Sequence, residues 1–254
     1  IQLAAHNGNI LVNKEKVKPN YKVKPMDDIS IVLPYPVRQL ELVPENIPVE
    51  ILYEDDELCV VNKSANMVVH PGYGNYSGTL VNALLYHFDH LPALPSDYFG
   101  RPGLVHRIDR PVSGCVTFAK TSKSLKRLNE MFKKNLIKKT YLAIVCGVNL
   151  KKSETLEHWL LKKPKINKSF AFLKHVEKSK KACLQYENMF SFENYTLLKI
   201  DLKTGRHHQI RTQLSKIGHP IKGDLKYGSK RSNKNKSISL HSSSIEFIHP
   251  IKKK

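Results

Sequence analysis

Residues Gly103-Leu104-Val105-His106-Arg107-Ile108-Asp109-Arg110-Pro111-Val112-Ser113-Gly114 place one carboxylate between two arginines in a turn. An Asp in a turn ordinarily accepts a local hydrogen bond. Flanking guanidiniums change its chemistry, because arginine never loses its charge and a cation within a few ångströms favours an ionised carboxylate. An ionised, positioned carboxylate can act as a nucleophile or as a base. In extended backbone, residues two apart share a face. Arg107 and Asp109 are therefore expected to face one cleft, with Ile108 packed behind them.

Two further clusters carry chemistry. Thr204-Gly205-Arg206-His207-His208-Gln209-Ile210-Arg211 is a glycine turn opening a helix with many donors, a pattern that suits an anion. Arg211 follows Ile210 of the helix's apolar stripe, so it is expected at the helix edge, with a bidentate pair to Asp109 within reach. Lys139-Thr140-Tyr141 opens an apolar run. Tyr141 offers a ring face for an extruded base and a hydroxyl that can shuttle a proton.

The elements that must hold these groups follow from periodicity. Strands are predicted at 10–13, 29–33, 49–53, 58–62, 115–119, 141–145, 182–190 and 195–202. Leu80, Leu84 and Phe88 repeat at four and predict a helix over 79–88. Thr121 or Ser122 caps a helix over 122–135 with the stripe Leu125, Leu128 and Phe132. A third helix is predicted over 208–217, ended by Gly218 and Pro220. Residues 1–6 read as the end of a helix, and Ser229–Ser237 as a polar, basic loop. Strands outnumber helices and are often consecutive. The fold class is α+β, a mostly antiparallel or mixed sheet with flanking helices and a central cleft. Residues 1–34 form a small N-terminal α/β module, 35–48 a proline-punctuated linker and 49–254 the catalytic domain.

The 254 residues carry 42 Lys and Arg against 22 Asp and Glu, a formal net charge of +20. That excess attracts phosphate backbones. An apolar content of 41% is enough for a packed core. Cys59, Cys115, Cys146 and Cys183 are far apart and read as buried thiols of a reducing, cytoplasmic setting. No apolar run reaches the roughly 20 residues of a membrane span. His87-x-x-His90 lacks a third ligand at a convincing spacing, and neither a Walker loop nor a dinucleotide fingerprint is present. No metal and no cofactor are expected.

These motifs together resemble the RluA-type family of RNA pseudouridine synthases. His106-Arg107-Ile108-Asp109-Arg110 with Ser113-Gly114 resembles its catalytic signature. Lys139-Thr140-Tyr141 with Gly147 resembles its tyrosine strand, and Thr204-Gly205-Arg206 through Gln209-Ile210-Arg211 its arginine motif. Also similar are His70-Pro71-Gly72, Gly78-Thr79-Leu80-Val81-Asn82, Gly218-His219-Pro220-Ile221 with Gly223-Asp224 and Tyr227-Gly228, and Leu240-His241 with His249-Pro250. Pro111-Val112 departs from the family, which more often has an acidic or small polar residue followed by Thr or Ser. Residues 1–34 resemble the later half of the ribosomal-protein S-four-type RNA-binding module, through Gly8-x-Ile10-x-Val12-Asn13, Val17-Lys18-Pro19 and Asp28-Ile29.

The resemblance implies that uridine in RNA is isomerised to pseudouridine. The base leaves ribose carbon 1′, turns, and rejoins through its carbon 5. It implies catalytic roles for Asp109, Tyr141 and Arg211. Asp109 attacks the sugar or removes a proton from it; both routes stay open. Arg107 enters the space left by the flipped nucleotide. The predicted RNA-contacting set is Arg107, Arg110 and His106 with Arg206, His208 and Gln209. The expected partner is RNA, large-subunit rRNA ahead of tRNA, with the chain acting as a monomer away from membranes. A non-catalytic RNA-binding or ribosome-assembly factor would explain the charge but not the Asp–Tyr–Arg set. A glycosidase-like hydrolase usually needs two carboxylates, and the sequence offers one well-supported candidate.

Overall fold

The computed structural model describes residues 5–6, 8–32, 42–72, 74–93 and 101–252. The chain forms two compact units, Ile1–Glu41 and Leu42–Lys254. In the first, β1 (Ile10–Val12) pairs antiparallel with β2 (Glu15–Lys16) and with β3 (Ile29–Ile31). Asn13 and Lys14, at φ 52° and 69°, make the tight two-residue turn between β1 and β2. The Asn13 amide donates to Asp27 Oδ1 at 3.0 Å and accepts from the Asp28 amide at 2.9 Å, which brings β3 back alongside. Of the helix predicted over 1–6, Ala5 and His6 are helical. Its other residues, and Leu33 of the predicted strand, lie outside the described residues.

The second unit is built on nine strands: β4 (Glu50–Glu54), β5 (Leu58–Lys63), β6 (Ser113–Ala119), β7 (Lys138–Cys146), β8 (Ser153–Lys163), β9 (Lys168–Phe172), β10 (Lys180–Ser191), β11 (Tyr195–Leu202) and β12 (Leu240–Glu246). Their order is β4-β5-β6-β12-β7-β11-β10-β8-β9. Every neighbouring pair is antiparallel except β6 and β12, which run parallel, so the sheet is mixed and the class α+β. Helices α1 (Leu80–His87), α2 (Ser122–Lys133) and α3 (Gln209–Lys216) complete it.

The predicted helices appear within two residues of their expected ends. Thr79 and Thr121 close capping boxes with Asn82 and Ser124, satisfying amides that the first turn leaves bare. β5 is apolar on both faces because both are covered. Cys59 and Val61 join the main core with Leu80 and Leu84 of α1, while Leu58 and Val60 pack with Leu125 and Leu128 of α2. The main core continues under α3, where Ile210 and Leu214 meet Leu184, Leu198 and Ile200 of β10 and β11. Each such side chain contributes about 1.5–3 kcal/mol on burial.

Four strands escaped the pattern, the two-residue β2 of the first unit and three of the second. β8 turns Leu156, His158 and Leu160 inward, and the buried histidine breaks the apolar alternation. β12 is serine-rich and is a strand because β6 and β7 pair with it, not through its own propensity. β9 is five residues long and pairs with β8 at the edge. Residues 42–48 are fastened to the second unit. The Glu45 amide donates to the Asn82 carbonyl at 3.0 Å, and the Asn82 amide group donates to the Val43 carbonyl at 2.8 Å.

Candidate active site

The stretch before β6 runs beside that strand before it turns. The Ala119 amide bonds the Gly103 carbonyl at 2.8 Å, and Leu104 bridges to Phe118. At the turn the Val112 amide donates to the Asp109 carbonyl at 3.1 Å, with Ile108 and Val112 buried behind it. The Arg110 carbonyl anchors the turn by accepting from the Asn66 amide at 2.7 Å and from Lys63 Nζ at 3.3 Å. Lys63 is fully buried and also caps the carbonyls of Ser64 and Met67. Burial lowers its pKa to about 8, against the opposing pull of the Asp109 charge.

Gly114, the second residue of β6, sits where only glycine fits. Its φ is +114°, and a Cβ there would lie 2.2 Å from the Ser242 carbonyl oxygen of β12. This close approach lets β6 and β12 run side by side and brings the Asp109 turn next to β7.

Asp109, Tyr141 and Arg211 line one cleft of about 630 Å³, together with Arg107 and His106 from the stretch leading to the Asp109 turn. That volume suits a small ligand or an extruded nucleotide. Arg211 Nη1 donates to Asp109 Oδ2 at 2.9 Å. The contact joins residues 102 apart in sequence, and it is single, not bidentate as the spacing suggested. The bidentate partner is Asp224, which takes Arg211 Nε at 2.6 Å and Nη2 at 2.9 Å. Tyr227 lies under the same guanidinium, 4.9 Å from ring centroid to Cζ. Burial alone would lower the Arg211 pKa, but Asp224 and Asp109 hold it above its ordinary value. Asp224 is 1% exposed and Asp109 29%. One carboxylate therefore fixes the arginine while the other stays open to the cleft. Asp224 has both oxygens on Arg211 and no access to a ligand, so it does not supply the second working carboxylate that glycoside hydrolysis uses.

Tyr141 is buried in the middle of β7, facing the α3 side with Ala143 and Val145. Burial pushes its phenol up to about 12, with the nearby Asp109 charge acting in the same direction and a Ser242 bond opposing it. It is an uncharged phenol at neutral pH.

The predicted RNA-contacting residues separate into different groups. Arg107 is exposed at the mouth of the cleft. Arg206 is exposed at the rim, its Nε on the Lys181 carbonyl at 3.1 Å. Arg110 is outside the cleft lining, with Nε on the Asn66 carbonyl at 3.2 Å. Gln209 is turned inward. Its oxygen accepts from the Thr204 hydroxyl and the Arg206 amide, and its nitrogen donates to the Cys183 carbonyl. It shapes the turn that carries Arg206, with both ends of its amide bonded within the protein. His106 accepts the Thr117 amide at Nε2 and stacks on Phe132 at 4.6 Å. Burial lowers its pKa to about 3, so it forms a neutral wall of the cleft. His208 is likewise lowered to about 3, first by burial, with the Asp109 charge working the other way. It occupies the N-cap of α3 at φ +52° without capping the helix. A left-handed, non-glycine cap costs of order 1–3 kcal/mol.

Four functional positions went unassigned in the sequence: Lys63, Asp224, Tyr227 and Phe132 as a cleft wall. Asp224 and Tyr227 stood within a quoted motif, but nothing in their spacing named Arg211 as their partner. Among the described residues no group of three or more His, Cys, Asp or Glu is arranged to hold a metal ion. Among the same residues no helix is long and apolar enough to cross a membrane.

One accessible carboxylate is gripped by a buried arginine beside a buried phenol, in a cleft of a strongly basic α+β protein. The family model described as RNA pseudouridylate synthase matches residues 57–216. An uncharacterized RNA pseudouridine synthase of Chlorobaculum parvum is 40% identical over 229 residues, covering 90% of this chain and 70% of the relative. The ribosomal large subunit pseudouridine synthase D of Zymomonas mobilis is 36% identical over 245 residues, covering 92% and 75%. In fold, the human RNA pseudouridylate synthase domain containing 1 matches with a TM-score of 0.64 at 21% identity, over 79% of each chain. The chain belongs to the RNA pseudouridylate synthase family. It is an isomerase that converts uridine in RNA to pseudouridine.

Proposed function

We propose that the enzyme modifies large-subunit ribosomal RNA, with Asp109 as its catalytic carboxylate acting on a nucleotide flipped into the cleft. The observation that carries the active-site part is the Arg211–Asp109 contact, with Asp109 partly open to a cleft of nucleotide size. Atoms of a stacked base are out of reach, so the uridine must leave the helix. Arg107, at the mouth, fills the vacated space and meets phosphate. Asp109 acts on the sugar while the C1′–N1 bond breaks and the C1′–C5 bond forms. The C5 proton leaves and a proton returns to N1, so no co-reactant is consumed. Tyr141 stacks on the detached base. A phenol held at about 12 favours this packing role over that of a base.

The ribosomal choice rests on relatives named ribosomal large subunit pseudouridine synthase D, three of which are 36–38% identical to this chain. The first unit is read as an RNA-binding module that adds affinity beside the catalytic unit. The four free thiols suit a cytoplasmic setting. Incubation with large-subunit rRNA and with tRNA, followed by pseudouridine mapping, tests the assignment. Product in rRNA and none in tRNA is expected; the reverse would overturn the substrate. Asp109→Asn is expected to lose at least about 100-fold in turnover while melting as the wild type does. An active Asp109→Asn enzyme would remove Asp109 from the mechanism.

A further inference from the structure

We propose that His208 is a positioning residue for Asp109, aiming an Nε2–H at Oδ2 so that Oδ1 is left for the substrate. This rests on the reading of Asp109 as the catalytic carboxylate.

The carboxylate in front of the ring selects the tautomer, and the hydrogen-bond chain behind it accommodates that choice. The Ser169 amide of β9 donates to Tyr227 Oη at 2.9 Å. The hydroxyl keeps one proton to give, with Thr212 and His208 Nδ1, the latter 2.8 Å away, as its side-chain partners. A neutral imidazole that accepts at Nδ1 carries its hydrogen on Nε2. The opposite tautomer would aim a bare nitrogen lone pair at a carboxylate. His208 Nε2 lies 3.7 Å from Asp109 Oδ2, the same oxygen that takes Arg211 Nη1 at 2.9 Å. Among the described residues both contacts go to Oδ2. At 3.7 Å the histidine is beyond hydrogen-bond range. Catalytic bonds in a free enzyme are often long and tighten when substrate is bound. The surroundings hold the ring in this pose. It packs edge-on to Tyr227 at 5.6 Å and is stacked on His207 at 3.7 Å, while His207 Nδ1 is 2.9 Å from Ser169 Oγ. The backbone of His208 is left-handed and its side chain does not cap α3, so local helix chemistry does not explain the residue. A neutral ring, 7% exposed and directed at the carboxylate, is also a poor phosphate ligand.

The test is single-turnover kinetics on a uridine-containing RNA substrate, with RNA affinity measured in parallel for the wild type, Asp109→Asn, His208→Asn, His208→Gln and Tyr227→Phe. Asparagine tolerates positive φ, so His208→Asn keeps the backbone while its amide is too short for Asp109. The glutamine amide can reach the place of Nε2–H. Expected are a rate loss of about 10-fold or more for His208→Asn at unchanged RNA affinity, and recovery of most of that rate in His208→Gln. Tyr227→Phe is expected to slow the wild type and to add little to His208→Gln, since the amide needs no tautomer set. A wild-type rate in His208→Asn, or a loss confined to RNA affinity, would overturn the proposal. So would an equal Tyr227→Phe effect in both backgrounds. Full activity in Asp109→Asn would instead sink the active-site reading on which it stands.

Discussion

Arg211 serves two carboxylates, and the bonds it makes to each differ. Asp224, buried and doubly bonded, holds the guanidinium in place; Asp109, singly bonded, stays open to the cleft. Breaking a buried pair strands a charge, which costs about 3–5 kcal/mol. Asp224→Asn and Arg211→Ala are each expected to lose stability of that order, read as lower urea midpoints, so their activity losses combine misfolding with chemistry. Asp109→Asn, at a part-exposed position, is expected to leave the midpoint near the wild-type value. Acid stability follows from the histidines. His106 and His208 have folded pKa values of about 3 against an ordinary value near 6.5. In that window the unfolded chain binds protons that the folded chain refuses. Stability is therefore complete above about pH 6.5 and falls as pH drops toward 3. Urea titrations between about pH 7 and 4 should show the decline. His106→Gln, which keeps an acceptor for the Thr117 amide, should flatten it by one proton's share.

At the scale of elements, the cleft depends on the one parallel pairing among the described strands of the sheet. β6 and β12 touch through Gly114 and Ser242, and nothing larger than hydrogen fits between them. Gly114→Ala meets both backbone strain at φ +114° and a clash with backbone atoms. It is expected to be among the most destabilising single changes, seen as loss of the cooperative unfolding transition or of folded yield. Near-normal melting would mean that β12 can move away without harm. Two of the strands that went unpredicted carry much of the site's support. β12 meets Tyr141 through Ser242, and β9 supplies Ser169 to Tyr227. Both are polar or short, and they exist because their neighbours offer paired amides and carbonyls.

Across the whole molecule the charge is unevenly divided. Residues 1–41 hold six Lys and Arg against four Asp and Glu, so +18 of the net +20 belongs to residues 42–254. Salt dependence of RNA binding counts the phosphates neutralised by cations. Removing residues 1–41 is therefore expected to leave the slope of log affinity against log salt almost unchanged, even where affinity itself falls. A slope reduced by half, measured by filter binding, would place the main phosphate contacts in the first unit. The second unit has its own continuous core and should retain a cooperative transition without the first.

Reading along the chain was enough to obtain the fold class, most strands and all three described helices, while the set Asp109, Tyr141 and Arg211 came from the family resemblance of their motifs. Periodicity, capping residues and motif types are local, and they survive in one dimension. Tertiary structure decided which atom faces which. It gave the arginine fork to Asp224, engaged the Gln209 amide in its own turn, neutralised His106 and His208, and put Lys63 under the Asp109 turn. Hydrogen bonds depend on tenths of an ångström and on direction, and charge states depend on burial. Both are fixed only when residues tens to a hundred positions apart are packed together.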